Sequence, residues 1–320
     1  MMHRVDTMTS MAMTRQQKDF LSLEHCSPES IIQLLDRAES MLPVVRRTVP
    51  ATPVLAGRTV ANIFFENSTR TRCSFEIAAG HLGARVLNLG TAGSSSSKGE
   101  TMLDTVRNIE AMGVDAMVIR TDRSGGARFV AENVRCPVIN AGDGTHEHPT
   151  QGLLDLLTIR QHIGRFEGIR VAIVGDIIQS RVARSDLHGL VSLGAELVLV
   201  GPPSMVSDQF KEVACGPGSV EVSHELDPIL PELDVVIMLR VQAERGSSIS
   251  EGYTEGYGLT GRRLEMLDPG CIVMHPGPLN RGVEISDEAA DDQGRSVILQ
   301  QVTNGVAVRM AVLSSLLERP

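Results

Sequence analysis

A chain of 320 residues exceeds the usual size of one hydrophobic core and predicts two domains. A hydrophobic share of 42% and a charged share of 22% suit a globular protein, and a formal net charge of −9 with a pI of about 5.5 argues against a nucleic-acid partner, which would call for a basic face. No apolar run approaches the roughly 20 residues of a membrane span, and the five cysteines (Cys26, Cys73, Cys136, Cys215 and Cys271) form no CxxC pair, so they read as reduced cytoplasmic thiols.

Taken in chain order, residues 1–20 lack the apolar core of a signal peptide and read as a flexible N-terminal extension. With no Trp, two Tyr and seven Phe, the core must be aliphatic. "TVANIFF" (59–65) predicts a buried strand, and Phe75, Ala78, Ala79 and Leu82 follow at helical spacing. "ARVLNLG" (84–90), "GVDAMVIR" (113–120) and "CPVINAG" (136–142) predict three more strands. "PTQGLLDLLTIRQHIG" (149–164) reads as a buried helix at the hinge between two halves. The second half repeats the pattern: a strand at "IRVAIVGD" (169–176), a helix marked by Ala183, Leu187, Leu190 and Val191, then strands at "AELVLVG" (195–201), "LDVVIMLR" (233–240) and "PGCIVMHPG" (269–277). The closing "NGVAVRMAVLSSLLE" is amphipathic and could pack on either half. Strands alternating with helices mean an α/β fold with a parallel sheet in each domain. In such sheets ligands bind beyond the carboxyl ends of the strands, so the residues closing each apolar run are the candidates for function.

The first such residues lie in "FFENSTRTRCSFE" (64–76). A helix capped by Asn67 or Ser68 would aim free amides and a partial positive charge out of its N-terminus, where a phosphate fits. Ser68, Thr69 and Thr71 add hydroxyls, and Arg70 can fork onto two phosphate oxygens. Arg72 faces elsewhere and is expected to pair with Glu66. Taken alone, the stretch is equally an ordinary capped helix with surface arginines. "AGSSSSKGET" (92–101) lacks the glycine that a phosphate-binding GxxxxGK[ST] loop needs before its lysine, and by itself reads as a solvated linker. Arg120 closes the third strand. In "DGTHEHPTQ" (143–151), His146 and His148 lack partners at metal-ligand spacing; His148, just before a Pro-initiated helix, suits a hydrogen bond to substrate oxygen, with Gln151 one turn along. "VAIVGDIIQSRVARS" lacks GxGxxG, so dinucleotide binding has little support, and no cofactor or metal is expected. Arg181, nearer the strand end than Arg184, and Arg240, followed by Gln242, close further strands. "HPGP" makes a rigid turn whose carbonyls at Pro276 and Gly277 could accept from an amine or amide. Arg70, Arg120, Arg181 and Arg240 at four strand ends describe a cationic cleft for two small anions.

The order "STRTR…SSSSKGE…HPTQ…SRVARS…LRVQAER…HPGP" resembles the catalytic chains of the aspartate carbamoyltransferase family, from about Asn62 to the C-terminus. The resemblance implies transfer of the carbamoyl group of carbamoyl phosphate to L-aspartate in de novo pyrimidine biosynthesis, on two α/β domains with the C-terminal helix returning to the first. It implies a carbamoyl phosphate-binding domain at 21–148 plus 302–320 and an aspartate-binding domain at 149–301. By the same similarity Ser68, Thr69, Arg70 and Thr71 hold phosphate, while Arg120, His148 and Gln151 contact the carbamoyl part. Arg120 also approaches aspartate, whose carboxylates fall to Arg181, Arg240 and Gln242, and the backbone carbonyls of Pro276 and Gly277 orient the amines. Ser94 and Lys98 match a loop that enters the neighbouring subunit's site, which reverses the linker reading and implies a homotrimer. A dihydroorotase-type or regulatory chain is a further partner the resemblance admits. The ornithine-specific sister family carries Cys where Thr150 stands and "SMG" in place of "LRVQAER"; Arg240 would repel a cationic acceptor. Gln179 departs from the His common at its position. The competing readings are transfer to another amino acid and a non-catalytic scaffold homologue.

Overall fold

The computed structural model describes residues 18–90, 100–213, 215–241 and 252–318. Helix α1 (Pro28–Val45) starts at Ser27, whose hydroxyl accepts from the Ser30 amide at 3.2 Å, and buries Ile31, Leu35, Ala38 and Leu42 along one stripe. The first sheet then forms from β1 (Thr59–Phe64), α2 (Thr69–His81), β2 (Arg85–Gly90), α3 (Met102–Ala111), β3 (Ala116–Thr121), α4 (Gly126–Asn133) and β4 (Val138–Asp143). Its order is β2-β1-β3-β4, parallel throughout, with Thr59 opposite Arg85 and Val60 opposite Ala116. Every position of β3 and β4 is buried, as expected of parallel strands covered on both faces.

Helix α5 (Pro149–Ile163) leads into the second sheet, built from β5 (Arg170–Val174), α6 (Arg181–Ser192), β6 (Glu196–Val200), β7 (Ser219–Ser223), β8 (Val235–Met238), α7 (Tyr253–Tyr257), α8 (Gly261–Met266), β9 (Ile272–Met274) and α9 (Asp287–Ala290). Its parallel order is β7-β6-β5-β8-β9. Strand β7 has no counterpart among the sequence expectations: "SVEVS" offers two apolar residues and lies half exposed at a sheet edge. Strand β9 is shorter than its apolar run, because the chain turns away into Pro276 and Pro278, which have no amide to donate to a ladder.

In both sheets the chain begins in the middle, moves to one edge and returns to the other side. The reversal falls between β1 and β3 in the first sheet and between β5 and β8 in the second. At such switch points the loops diverge and leave a crevice at the carboxyl ends. Arg70 follows β1, Arg120 lies in β3, Arg181 follows β5 and Arg240 follows β8, so the arginines sit on the two crevices.

Helix α5 is buried at every position from Pro149 to Ile159, and α10 (Ile298–Leu317) packs on α1, α2 and α5. Leu153, Leu156 and Leu157 share one apolar cluster with Ile139 of the first sheet, Ile173 of the second and Leu313 of α10. Each fully buried leucine stabilises the assembly by about 1.5–3 kcal/mol. The fold is thus α/β, two helix-flanked parallel sheets, with the C-terminal helix returning to the first half. Among the described residues no helix is long and apolar enough to cross a membrane. The five cysteines are free thiols, and burial pushes Cys26, Cys136 and Cys271 up to about 12, far from reactive thiolates.

Candidate active site

A cleft of about 480 Å³ opens where the two crevices face each other, lined on one side by the start of α2, Arg120 and His148, and on the other by Arg181, Arg240 and the Pro276–Gly277 turn. Gln151 also lines it. Lys98, Ser94 and Gln242 fall outside the described residues.

At the start of α2, Ser68 is extended (φ −159°) and its side chain makes no capping bond. Ser27, Thr101, Ser180, Thr260 and Ser286 each cap their own helices. The Ser68 hydroxyl and the first amides of α2 therefore face the cleft uncommitted, with no acidic side chain in that turn. That end of a helix attracts an oxyanion. Arg70 reaches across to the other half: a Cβ on Gly277 (φ +62°) would fall on the Arg70 guanidinium, so the bare glycine backbone makes room for it. Burial, then the neighbouring charge of Arg240, hold the Arg70 guanidinium below its usual range. An anion between the two would relieve that repulsion.

Arg120 and Arg181 are 9% and 5% exposed. Arg120 Nη1 donates to the Ala141 carbonyl at 3.1 Å. Both arginines meet Glu66: Arg181 binds it through two nitrogens at 2.7 and 3.0 Å, and Arg120 lies at 3.5 Å. Gly142 (φ +112°) lets them close in, since a Cβ there would lie 3.0 Å from Arg181 Nε and 3.1 Å from Arg120 Nη1. This corrects the expected Glu66–Arg72 pair. Glu66 leaves β1 pointing into the crevice, where Arg181 arrives from the opposite sheet, whereas Arg72 lies one helical step away near Gly90. The Glu66–Arg181 pair is a bridge between the halves, and the guanidinium, with five N–H donors, retains others for a second carboxylate. Arg184 plays no part in the cleft; its guanidinium stacks on Phe210 at 5.1 Å. Gln179 is not among the cleft-lining residues, and its backbone N–H donates to Asp176 Oδ1 at 3.1 Å.

His148 is 4% exposed, and its backbone amide donates to Ser185 Oγ at 2.9 Å, fixing where α5 begins. Burial, reinforced by Arg120, Arg309, Arg181 and Arg70, holds its imidazole well below the usual range, so it is neutral at pH 7 and can donate one hydrogen bond. Its Nδ1 has no hydrogen-bond partner. His146 instead pairs with Asp143 at 3.1 Å outside the cleft, and that bond raises its pKa.

The turn after β9 is held by a pair the sequence did not signal. His275 Nδ1 accepts the Gly277 amide at 2.7 Å, which leaves Nε2–H to donate to Glu284 at 3.1 Å. Glu284 also accepts the Asn280 amide at 2.6 Å, and Asn280 Nδ2 donates to the Val241 carbonyl at 3.1 Å, tying the ends of β8 and β9 together. The single clue in the sequence is a Glu nine residues after the His, a spacing with no helical or strand meaning outside a folded turn.

Two family profiles cover nearly the whole described chain: "Aspartate/ornithine carbamoyltransferase, carbamoyl-P binding domain" matches residues 18–161, and "Aspartate/ornithine carbamoyltransferase, Asp/Orn binding domain" matches residues 167–316. The chain belongs to the aspartate/ornithine carbamoyltransferase family. Within it, the aspartate carbamoyltransferase catalytic subunit of Halothermothrix orenii is 48% identical over 306 residues, 94% of this chain and 96% of that one. Aspartate transcarbamoylase from Trypanosoma cruzi, in complex with carbamoyl aspartate and phosphate, superposes with a TM-score of 0.83 at 30% identity, covering 96% of this chain and 100% of that chain. Ornithine carbamoyltransferase from Pyrococcus furiosus gives 0.84 at 28% identity, covering 94% and 97%. The carbamoyltransferase fold is thus common to both substrate types, and the choice of acceptor rests on the charges in the cleft and on the closer sequence relatives.

Proposed function

We propose that this chain transfers the carbamoyl group of carbamoyl phosphate to the α-amine of L-aspartate, giving N-carbamoyl-L-aspartate and phosphate, the carbamoylation step of pyrimidine biosynthesis. The observation that carries the reading is the meeting of Arg70 and Arg120 from one sheet with Arg181 and Arg240 from the other around a single cleft. A phosphorylated donor and a dicarboxylate repel each other, and only a strongly cationic site brings them into contact. Phosphate sits on Ser68, Thr69, Thr71, the first amides of α2 and Arg70. Its carbamoyl oxygen faces Thr71, Arg120 and neutral His148, and its amide faces Gln151 and the carbonyls of Pro276 and Gly277. The neutral amine of aspartate, whose carboxylates lie on Arg181, Arg240 and Gln242, attacks the carbamoyl carbon. The C–N bond forms, and the oxyanion of the tetrahedral intermediate is held by Thr71, Arg120 and His148. The C–O bond to phosphate then breaks with the electron pair and the amine proton going to phosphate. One well-placed oxyanion donor is worth on the order of 3 kcal/mol.

Residues 21–148 with 302–320 form the donor half and 149–301 the acceptor half in this reading, supported by the packing of α10 on α1 and α2. Ser94 and Lys98 act in a neighbouring subunit's cleft, which makes the enzyme a cytoplasmic homotrimer. The test is a carbamoylation assay with aspartate, ornithine and succinylornithine over a protein dilution series. Carbamoylaspartate as the one strong product supports the reading; citrulline as the main product overturns it.

A further inference from the structure

Gln151 lines the cleft from the first turn of α5, and its amide is held from behind. Its Nε2 donates to both oxygens of Asp155, one helical turn along, at 3.2 Å each. Asp155 Oδ1 also accepts from Gln301 Nε2 of α10 at 2.6 Å, while Gln301 Oε1 accepts the backbone N–H of His275 at 2.9 Å. Two amides thus turn their N–H groups on one carboxylate, an arrangement suited to an ionised, acceptor-only Asp155. Beside it on α6 lies Asp186. The two are 1% and 0% exposed and within side-chain hydrogen-bonding reach of each other, yet neither Asp186 oxygen has an N–H or O–H partner. Two buried charges placed together would repel without compensation. A proton on Asp186 removes the repulsion and gives Asp155 a third donor.

We propose that Asp155 and Asp186 share one proton and act as a positioning pair for Gln151, holding its carbonyl oxygen toward the cleft to accept the N–H2 of the carbamoyl group. The ligand assignment rests on the carbamoyl-transfer reading of the cleft. A planar amide with Nε2 on Asp155 must point Oε1 the opposite way; the reversed amide would set donor against donor. Burial first, opposed by the bonds from Gln301 and Gln151 and by the charge of Arg309 on α10, pushes Asp155 up to about 7. Burial, Asp155 and Glu147, just before α5, push Asp186 well above the usual carboxylate range. Below neutral pH the pair gains its second proton, Asp155 ceases to be acceptor-only, and Gln151 is released.

The experiment combines a pH profile with a spectroscopic readout on the full chain. In the wild type, kcat/KM for carbamoyl phosphate falls on the acid side of neutrality. Asp186→Asn keeps a donor for Asp155, so it restores activity that Asp186→Ala loses and keeps the acid limb near its wild-type position, whereas Asp186→Ala, which removes the donor that favours ionised Asp155, moves that limb up by about one pH unit or more. Asp155→Asn raises KM for carbamoyl phosphate roughly tenfold, and adding Gln151→Ala costs little more. An acid limb unmoved in Asp186→Ala, or full additivity in the double variant, overturns the positioning role. Isotope-edited infrared spectra, which need no turnover, should show a carboxylic-acid band at pH 8 that is lost in Asp186→Asn; its absence from the wild type overturns the shared proton. A wild type that shows the band but does not turn over carbamoyl phosphate overturns the ligand assigned to Gln151 while the shared proton stands.

Discussion

At the residue scale, the cleft is governed by which carboxylate each guanidinium meets. The strand-end positions of Arg70, Arg120, Arg181 and Arg240 were legible from sequence because an apolar run ending in a charge marks the carboxyl edge of a parallel sheet. The partner of Glu66 was not, since Arg181 lies more than a hundred residues away and comes near only when the second sheet docks. Glu66→Gln keeps the shape and removes the charge that orients both arginines; the KM for aspartate should rise about tenfold, or about 1.4 kcal/mol, with a smaller change for carbamoyl phosphate, as steady-state kinetics would show. The buried Asp155–Asp186 pair makes a separate prediction about stability. Their raised pKa values mean that the folded state binds more protons than the unfolded one above the ordinary aspartate value of 3.8, so stability falls as pH rises toward neutrality. Asp186→Asn should therefore unfold at a higher temperature than the wild type at pH 8, by the equivalent of about 1–3 kcal/mol, with the gap closing near pH 4 in calorimetry.

At the scale of elements, the helix start at Ser68 and the buried α5 were both readable, the first from its hydroxyl-rich opening and the second from its leucines. What periodicity could not show is how closely α5 meets α6. Gly152 is the contact point: a Cβ there would lie 2.7 Å from Leu23 Cδ1 and 3.0 Å from Ser185 Cβ. Gly152→Ala should destabilise the fold by about 1–3 kcal/mol through overpacking, measured by denaturant unfolding. Because Ser185 also accepts the His148 amide, the same substitution should lower kcat beyond its effect on stability. Strand β7 escaped the sequence reading for the opposite reason. An edge strand with one covered face needs few apolar residues, and Val220 and Val222 are too few to distinguish it from a loop.

At the scale of the molecule, the switch points of the two sheets face each other across the cleft, and the apolar core running through α5 and α10 holds the two crevices together. If the site is shared between the subunits of a trimer, as proposed above, two inactive variants should complement each other. Neither a Lys98→Ala chain nor an Arg70→Ala chain should be active alone, yet mixing and reassembling them should restore roughly a quarter of wild-type activity, since each hybrid trimer regains one intact site. No recovery would confine Lys98 to its own subunit. In the proposed function the guanidinium groups of both halves act together on a phosphate and a dicarboxylate. Calorimetric titration of a single molecule carrying both charges, a phosphonate joined through an amide to L-aspartate, measures that joint action. Tight binding to the wild type is expected, weakened about a hundredfold or more by either Arg70→Ala or Arg240→Ala, with substitution of Arg184 leaving it unchanged. Equal affinity in the wild type and in both cleft variants would show that the two halves do not act together on these anions.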